Sequence, residues 1–170
     1  TILKIYNMAT ALFATPLDLK KNSIISGNLD DDKLNFVIKN SQVIHVQNYL
    51  GTDLYNALQE NAIEGTLSTE QELLIDEYVN TMLVNWSLTE FVSVSAYTLS
   101  NKGLLKHTDE TAETVSMEEI DALVLKYQKI AEYFTERLIK FLCDNTSIYP
   151  EYNTNNGSDI DPETSSTYGG

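Results

Sequence analysis

The sequence is poor in the residues from which enzymes build metal sites and nucleophiles. Its 170 residues include one cysteine, Cys143, and two histidines, His45 and His107. A single cysteine excludes an internal disulfide and a cysteine-rich zinc site, and we expect its thiol to be buried as a small apolar group. Neither histidine has HExxH or ExxH spacing, and the seven glycines are too scattered for a phosphate-binding loop. We therefore expect no catalytic residues, no metal and no cofactor; an enzyme that pairs a histidine with carboxylates is a competing hypothesis.

Long apolar runs are also lacking. No stretch reaches the ~18 residues of a membrane-spanning helix, and the opening TILKIYNM contains no usable cleavage site. We expect neither a membrane span nor a secretory signal. The first residue, Thr1, is compatible with removal of an initiator methionine, and Met8 is an alternative start. At this length the chain is most simply one domain with a real core.

Positive charge is scarce and unevenly placed. The formal net charge is −14, and no Lys or Arg lies between Lys39 and Lys102, whereas eight acidic residues do. Residues 1–27 show the opposite balance, with three lysines and one aspartate. Such a chain is unsuited to neutralising nucleic-acid phosphates. The acidic block is either a solvated helix face or one side of a contact with a basic surface, such as a neighbour's N-terminal segment.

Apolar periodicity and capping signals predict a mainly α-helical protein with four helices. The first extends from about Asp30 to Leu50, where Gly51 ends it in a left-handed conformation and Thr52 caps the second. The second ends near Gly65. A long central helix covers residues 69–99, with a capping box at Ser68–Gln71, and a fourth covers residues 117–144, with a capping box at Ser116–Glu119. Past Phe91 the central helix is rich in β-branched residues, so its last part is a helix end, an unwound segment or a strand. The Asp30–Asp32 run lacks EF-hand spacing, so we interpret it as a helix N-terminus rather than a calcium site.

The segments outside these helices divide the chain further. We predict an extended N-terminal segment at 1–29, a helical domain at 30–145 and an extended C-terminal tail at 146–170. Residues 101–115 are polar and predict a projecting loop or β-hairpin arm inside the helical domain. After Pro150 the tail has one aliphatic residue, Ile160, so we expect it to be disordered in isolation and ordered only against a partner chain. Ten tyrosines favour a binding protein over an enzyme.

Five stretches of the sequence together carry a resemblance to a known family: KKNSIISGNLD at 20–30, SQVIHVQNYLGTDLYNAL at 41–58, LSNKGLL at 99–105, AEYFTERLIKFLCDN at 131–145 and IYPEYN at 148–153. The most specific sequences are LGTDLYNAL and LCDN…YPEYN. In this order they resemble the small head–tail connector (adaptor or ring) proteins of tailed phages, of the type found in crAss-like phages of Bacteroidetes. The resemblance covers about Leu19 to Asn153.

The resemblance implies a virion structural protein with an adaptor-type four-helix bundle. Such proteins form a ring, usually twelve-fold, at the portal vertex of the virion after assembly in the host cytoplasm. They contact the portal and neighbouring tail or ring proteins, and they line a channel through which DNA passes without specific binding. We predict partner contacts at Lys20, Lys21, Lys102, Leu104, Leu105, Tyr149, Tyr152, Ile160 and Tyr168. The alternative is a non-catalytic helical module, a phage or host regulator, that binds a peptide or protein.

Overall fold

The computed structural model describes residues 10–23, 29–95, 97–100, 103–106, 116–154 and 159–165, and these are mainly helical, as predicted. Two long helices each contain a π-helical turn. The elements are α1 (Pro16–Lys21), α2 (Asp31–Ser41), a π turn (Gln42–Val46), α3 (Gln47–Leu50), α4 (Thr52–Glu64), α5 (Thr69–Leu73), a π turn (Leu74–Val79), α6 (Asn80–Ser95), β1 (Tyr97–Ser100), β2 (Gly103–Lys106), α7 (Met117–Asp144) and α8 (Pro150–Thr154).

The helix starts follow from local hydrogen bonds that the sequence predicts. Ser68 Oγ accepts from the Gln71 backbone N–H while Gln71 Oε1 accepts from the Ser68 N–H. Ser116 and Glu119 form the same reciprocal pair at the start of α7. Each capping box satisfies two backbone donors that a helix start leaves open, so both predicted boxes are confirmed.

The core lies around α6, which packs between α2 and α7. Seven of its residues are buried, including Met82, Leu83 and Trp86, so more than one face of the helix is enclosed. Trp86 Nε1–H donates to Thr135 Oγ1 at 3.0 Å, and Thr135 Oγ1 donates to the Ala131 carbonyl at 2.8 Å. This pair of bonds ties α6 to α7 through the core.

The predicted 69–99 helix is shorter than expected. It ends at Ser95, and after it β1 pairs antiparallel with β2, with Leu99 opposite Leu104 and Thr98 opposite Leu105. The β-branched run before Leu99 explains the change, because such residues favour extended backbone. Of the predicted arm at 101–115, only β2 is within the described residues.

The terminal segments need correction where they are described. Phe13 and Leu19 from the N-terminal segment, and Tyr149 and Tyr152 from the C-terminal tail, are buried in the same core as the helices. Polar anchors hold the N-terminal part: the Gln42 and Gln59 side-chain amides each donate to the Ala11 carbonyl, at 2.9 and 2.8 Å. The core therefore extends beyond the predicted limits of 30 and 145.

Candidate functional site

Clusters of metal-ligating side chains are absent from the described part of the chain. Across residues 10–23, 29–95 and the later described ranges, no three His, Cys, Asp or Glu residues come together as a metal site. Over the same residues, no helix is both long and apolar enough to cross a membrane. Cys143 is exposed rather than buried, because it lies on the outer side of α7, where its sulfur is 4.0 Å from the Tyr152 hydroxyl.

His45 has a structural environment. Its ring is 1% exposed and stacks on Trp86, with ring centroids 3.9 Å apart and planes at 8°. Burial lowers its pKa from 6.5 to about 4, so the imidazole is neutral at pH 7. Glu90, whose side chain is 43% exposed, places a carboxylate oxygen 3.6 Å from His45 Nε2. His45 thus fills the interface of the first π turn with α6, while His107 lies outside the described residues.

The most specific arrangement is at the corner between α3 and α4. Gly51 has φ +74° and ψ 159°, and it occupies the N-cap position of α4, where it offers no side chain to the helix start. Part of the C-terminal tail, residues 159–165, lies against this corner; we call this segment the strap. The Thr52 N–H donates to the Ile160 carbonyl at 2.9 Å, and the Glu163 N–H donates to the Asn48 carbonyl at 2.9 Å. The strap thus bonds to the end of one helix and the start of the next.

Thr52 does not cap α4 as predicted. As the first helical residue, it instead accepts a hydrogen bond at Oγ1 from the Ile160 N–H, 3.0 Å away, and another from Gln47 Nε2 at 3.3 Å. Together with the bond from the Thr52 N–H to the Ile160 carbonyl, this makes two hydrogen bonds between Thr52 and the backbone of Ile160. A segment 108 residues away in sequence therefore does what an N-cap side chain does elsewhere.

Close packing makes glycine essential at this corner. A Cβ on residue 51 would lie 2.7 Å from Pro162 Cγ and 2.8 Å from Pro162 Cδ. By contrast, a Cβ on Gly65, which also has a positive φ of +70°, would meet no atom within 4 Å. Gly51 thus supplies both an unusual backbone conformation and the space that the Pro162 ring occupies.

Three of the predicted partner contacts, Tyr149, Tyr152 and Ile160, are buried or half-buried in their own chain. Tyr149 and Tyr152 are 2% and 6% exposed, which corrects their assignment as surface anchors. The Tyr149 hydroxyl donates to the Glu70 carbonyl at 2.8 Å, and burial raises the pKa of Tyr152 to about 12. Ile160 is a half-buried anchor, but on its own chain.

The lysines and the remaining sites differ in their surroundings. Lys20 forms an ion pair with Asp31, Nζ to Oδ1 at 2.6 Å, so its charge is already matched within the chain. Lys21 is exposed. Leu104 and Leu105 lie on β2, and the remaining two predicted contacts, Lys102 and Tyr168, lie outside the described residues.

Two surfaces have complementary character. On α2 and the first π turn, Phe36 is 66% exposed and Val43 47% exposed, beside the exposed Lys33 and Lys39; the acidic residues of α2 are at its first turn. We call these four residues the basic face. The second surface joins the end of α4 to the α5 helix, which the Asn61 Nδ2 to Gln71 Oε1 bond of 2.9 Å holds together. This acidic surface consists of Glu60, Ile63, Glu64, Glu72, Leu73, Asp76 and Glu77, all exposed.

Sequence reasoning identified the Gly51 corner but not its occupant. The strap was missed because its contacts are mostly main-chain bonds, which leave no side-chain pattern. The available signals were Gly51 itself and Ile160, the only aliphatic residue after Pro150.

Comparison with known proteins gives one match. The model of a family described as "Family of unknown function (DUF6712)" matches residues 46–162, a range that begins just before the Gly51 corner and ends at Pro162. No curated protein and no solved structure matches the chain. Because the match covers more than half of the sequence, the chain belongs to this family of unknown function, DUF6712.

Proposed function

We propose that this protein is a head–tail connector of a tailed phage, of the crAss-like type, which forms a ring docked to the portal. The observation that carries the proposal is the joint occurrence, in order, of the five stretches that resemble this class of protein. Each stretch alone is an ordinary helix corner or helix end. The proposed architecture is an adaptor-type four-helix bundle with a long central helix and an arm at 101–115.

The two complementary surfaces support a ring. A closed ring needs heterologous contacts, in which one patch on a subunit meets a different patch on the next. The basic face combines Phe36 and Val43 with two lysines, and the acidic surface combines Ile63 and Leu73 with five carboxylates. Charge complementarity of this kind orients partners and speeds their association. Since Lys20 is paired with Asp31, the proposed positive side of the contact moves from residues 1–27 to the basic face.

The net charge suits the proposed channel. A wall that attracted phosphate would retain the genome, whereas a chain of net charge −14 repels it. In this proposal the protein resides at the portal vertex of the virion, and in the host cytoplasm while the virion assembles. It performs no catalysis.

Native mass spectrometry of the purified protein, alone and with its candidate portal, tests the proposal. We expect a ring of about a dozen copies, or a monomer that assembles only on the portal. Reversing both charges of the basic face, Lys33→Glu with Lys39→Glu, should prevent assembly. The matched control reverses two exposed lysines of α7, Lys126→Glu with Lys129→Glu, and should assemble normally. A monomer or dimer indifferent to the portal overturns the connector proposal.

One observation favours a second candidate, a helical peptide-binding module. The Gly51 corner already holds a non-helical segment by its main chain, through the Thr52 N–H and the Asn48 carbonyl. A regulator of this type would be a monomer or dimer in the same mass measurement, and its ligand would be a peptide rather than a portal.

A further inference from the structure

We propose that the Gly51 corner is a binding site for an extended peptide with an apolar residue, a spacer and a proline followed by an acid, and that the strap is its removable occupant. In the free chain the strap fills the site from its own tail. The same segment of a second copy is the occupant we assign in trans. This inference concerns an intramolecular site and does not rest on the proposed connector function.

The corner presents backbone groups in need of partners. A helix leaves its first N–H groups and its last carbonyls without intrahelical partners. At this corner the Thr52 N–H belongs to the start of α4 and the Asn48 carbonyl to the end of α3, and the strap satisfies both. Since glycine at the N-cap cannot supply a side-chain acceptor, an extended main chain with its own carbonyl is the natural ligand.

The shape of the corner also favours a proline in its occupant. The missing side chain at Gly51 leaves a depression that the Pro162 ring fills, at a distance where even one added carbon would overlap. Proline also suits a segment that is neither helix nor strand, as residues 160–165 are here, since it disfavours the helical region for the residue before it. The site is therefore selective for a proline at one position and for main-chain geometry elsewhere.

The strap lies on the surface of the protein rather than in its core. Ile160 and Pro162 are half-buried, whereas Asp159, Asp161 and residues 163–165 are exposed. Hydrogen bonds join it to the corner at Thr52 and at the Asn48 carbonyl. Fixing several residues of backbone costs conformational entropy that offsets much of what such surface contacts return. Such a segment opens without unfolding the helices beneath it.

Amide hydrogen exchange on the full chain tests the opening. The Thr52 N–H is bonded to the strap, whereas the Tyr55 N–H, in the same first turns of α4, is bonded to the Gly51 carbonyl. In Pro162→Ala we expect exchange at Thr52 to become about tenfold faster, the equivalent of one lost contact, with Tyr55 unchanged. Equal exchange of the two amides in both proteins means that the strap does not open separately, and overturns the proposal.

Occupation in trans needs a peptide. A labelled peptide with the sequence of residues 159–165 is titrated to about 1 mM, because a short tether gives the strap an effective concentration in that range. We expect binding to the full-chain Pro162→Ala variant, whose own strap is weakened, and at least tenfold weaker binding to the unaltered chain. The same peptide with alanine in place of its proline should not bind. No binding to Pro162→Ala, or equal binding of both peptides, overturns the site.

The dependence of association on protein concentration shows whether the strap in the site comes from the same chain or from a second copy. If a second copy supplies the strap, sedimentation velocity of the unaltered chain at concentrations up to about 1 mM should show a dimer or larger species that increases with concentration and is lost in Pro162→Ala. Absence of this species in the unaltered chain, or its persistence in Pro162→Ala, contradicts the assignment in trans. If the unaltered chain does not bind the portal, but Pro162→Ala still binds the peptide, the connector proposal is refuted and the peptide site stands.

Discussion

Substituting Gly51 by alanine should cost far more stability than the same change at Gly65. Both glycines have a positive φ, +74° and +70°. Gly65, however, has ψ 31°, in the left-handed helical region, whereas Gly51 has ψ 159°, a region that is almost restricted to glycine. Comparing the two substitutions therefore separates the strain of a left-handed backbone from the added strain and close packing at the Gly51 corner.

The magnitude follows from two contributions. For Gly65→Ala the left-handed conformation costs about 1 kcal/mol, partly offset by the lower entropy of the unfolded chain. For Gly51→Ala the backbone costs about 2–3 kcal/mol. The new Cβ would also lie 2.7 Å from Pro162, so the strap must move and lose hydrogen bonds worth about 1 kcal/mol each, net of regained entropy. We expect a total of about 3–4 kcal/mol.

Urea unfolding followed by circular dichroism at 222 nm measures both variants. The double variant Gly51→Ala with Pro162→Ala adds a stricter criterion, because alanine lacks the Cγ and Cδ atoms that make the closest contacts. Its loss should be smaller than the sum of the two single losses by about 0.5–1 kcal/mol. The reasoning is refuted if Gly51→Ala is as mild as Gly65→Ala, or if the two changes at the corner are additive.

Three further changes test the buried polar groups. The pKa of His45 is about 4 in the folded chain and 6.5 when unfolded, so between those pH values the unfolded state binds one more proton than the folded state. The free energy of unfolding should therefore fall by about 2 kcal/mol from pH 8 to pH 5. Urea unfolding measured across this pH range should show that His45→Gln removes the loss and that His107→Gln keeps it. Thr135→Val leaves a buried indole N–H without its acceptor and should cost about 1–3 kcal/mol in urea unfolding, and a neutral result would contradict that bond. Tyr149→Phe deletes a hydroxyl bonded to a backbone carbonyl of α5 and should lower stability by about 1 kcal/mol, whereas Tyr133→Phe, at an exposed ring, should not; equal effects would restore Tyr149 as a surface anchor.

Helix starts were predictable because their physics is local. A capping box depends on a hydroxyl and a carboxylate or amide three residues apart, so Ser68 and Ser116 could be assigned from the sequence alone. The central helix was predictable for a related reason: apolar residues on all sides of Met82 to Trp86 require burial on more than one face. The end of the central helix was harder to predict, since a β-branched run fits a fraying helix and a strand about equally well.

Burial of the tail residues was not predictable in the same way. Tyr149 and its acceptor are 79 residues apart, and nothing in the local pattern distinguishes a tyrosine that packs on its own core from one that anchors a partner. The polar tail correctly indicated a segment with little apolar surface. It gave a wrong expectation for the strap, because hydrogen bonds between backbone groups do not depend on hydropathy.

The strap also bears on how copies of this chain could associate. While it is closed, Ile160 and Pro162 cover the corner, and neither the peptide nor its site is available to another molecule. When it opens, one event exposes both, and they are different patches that fit each other. That is the requirement for a heterologous contact, which closes into a ring or continues as a filament depending on the rotation between subunits. A second copy would compete against a tethered strap, so assembly would need either high local concentration or a surface that brings copies together. In the proposed connector, the portal would provide that surface.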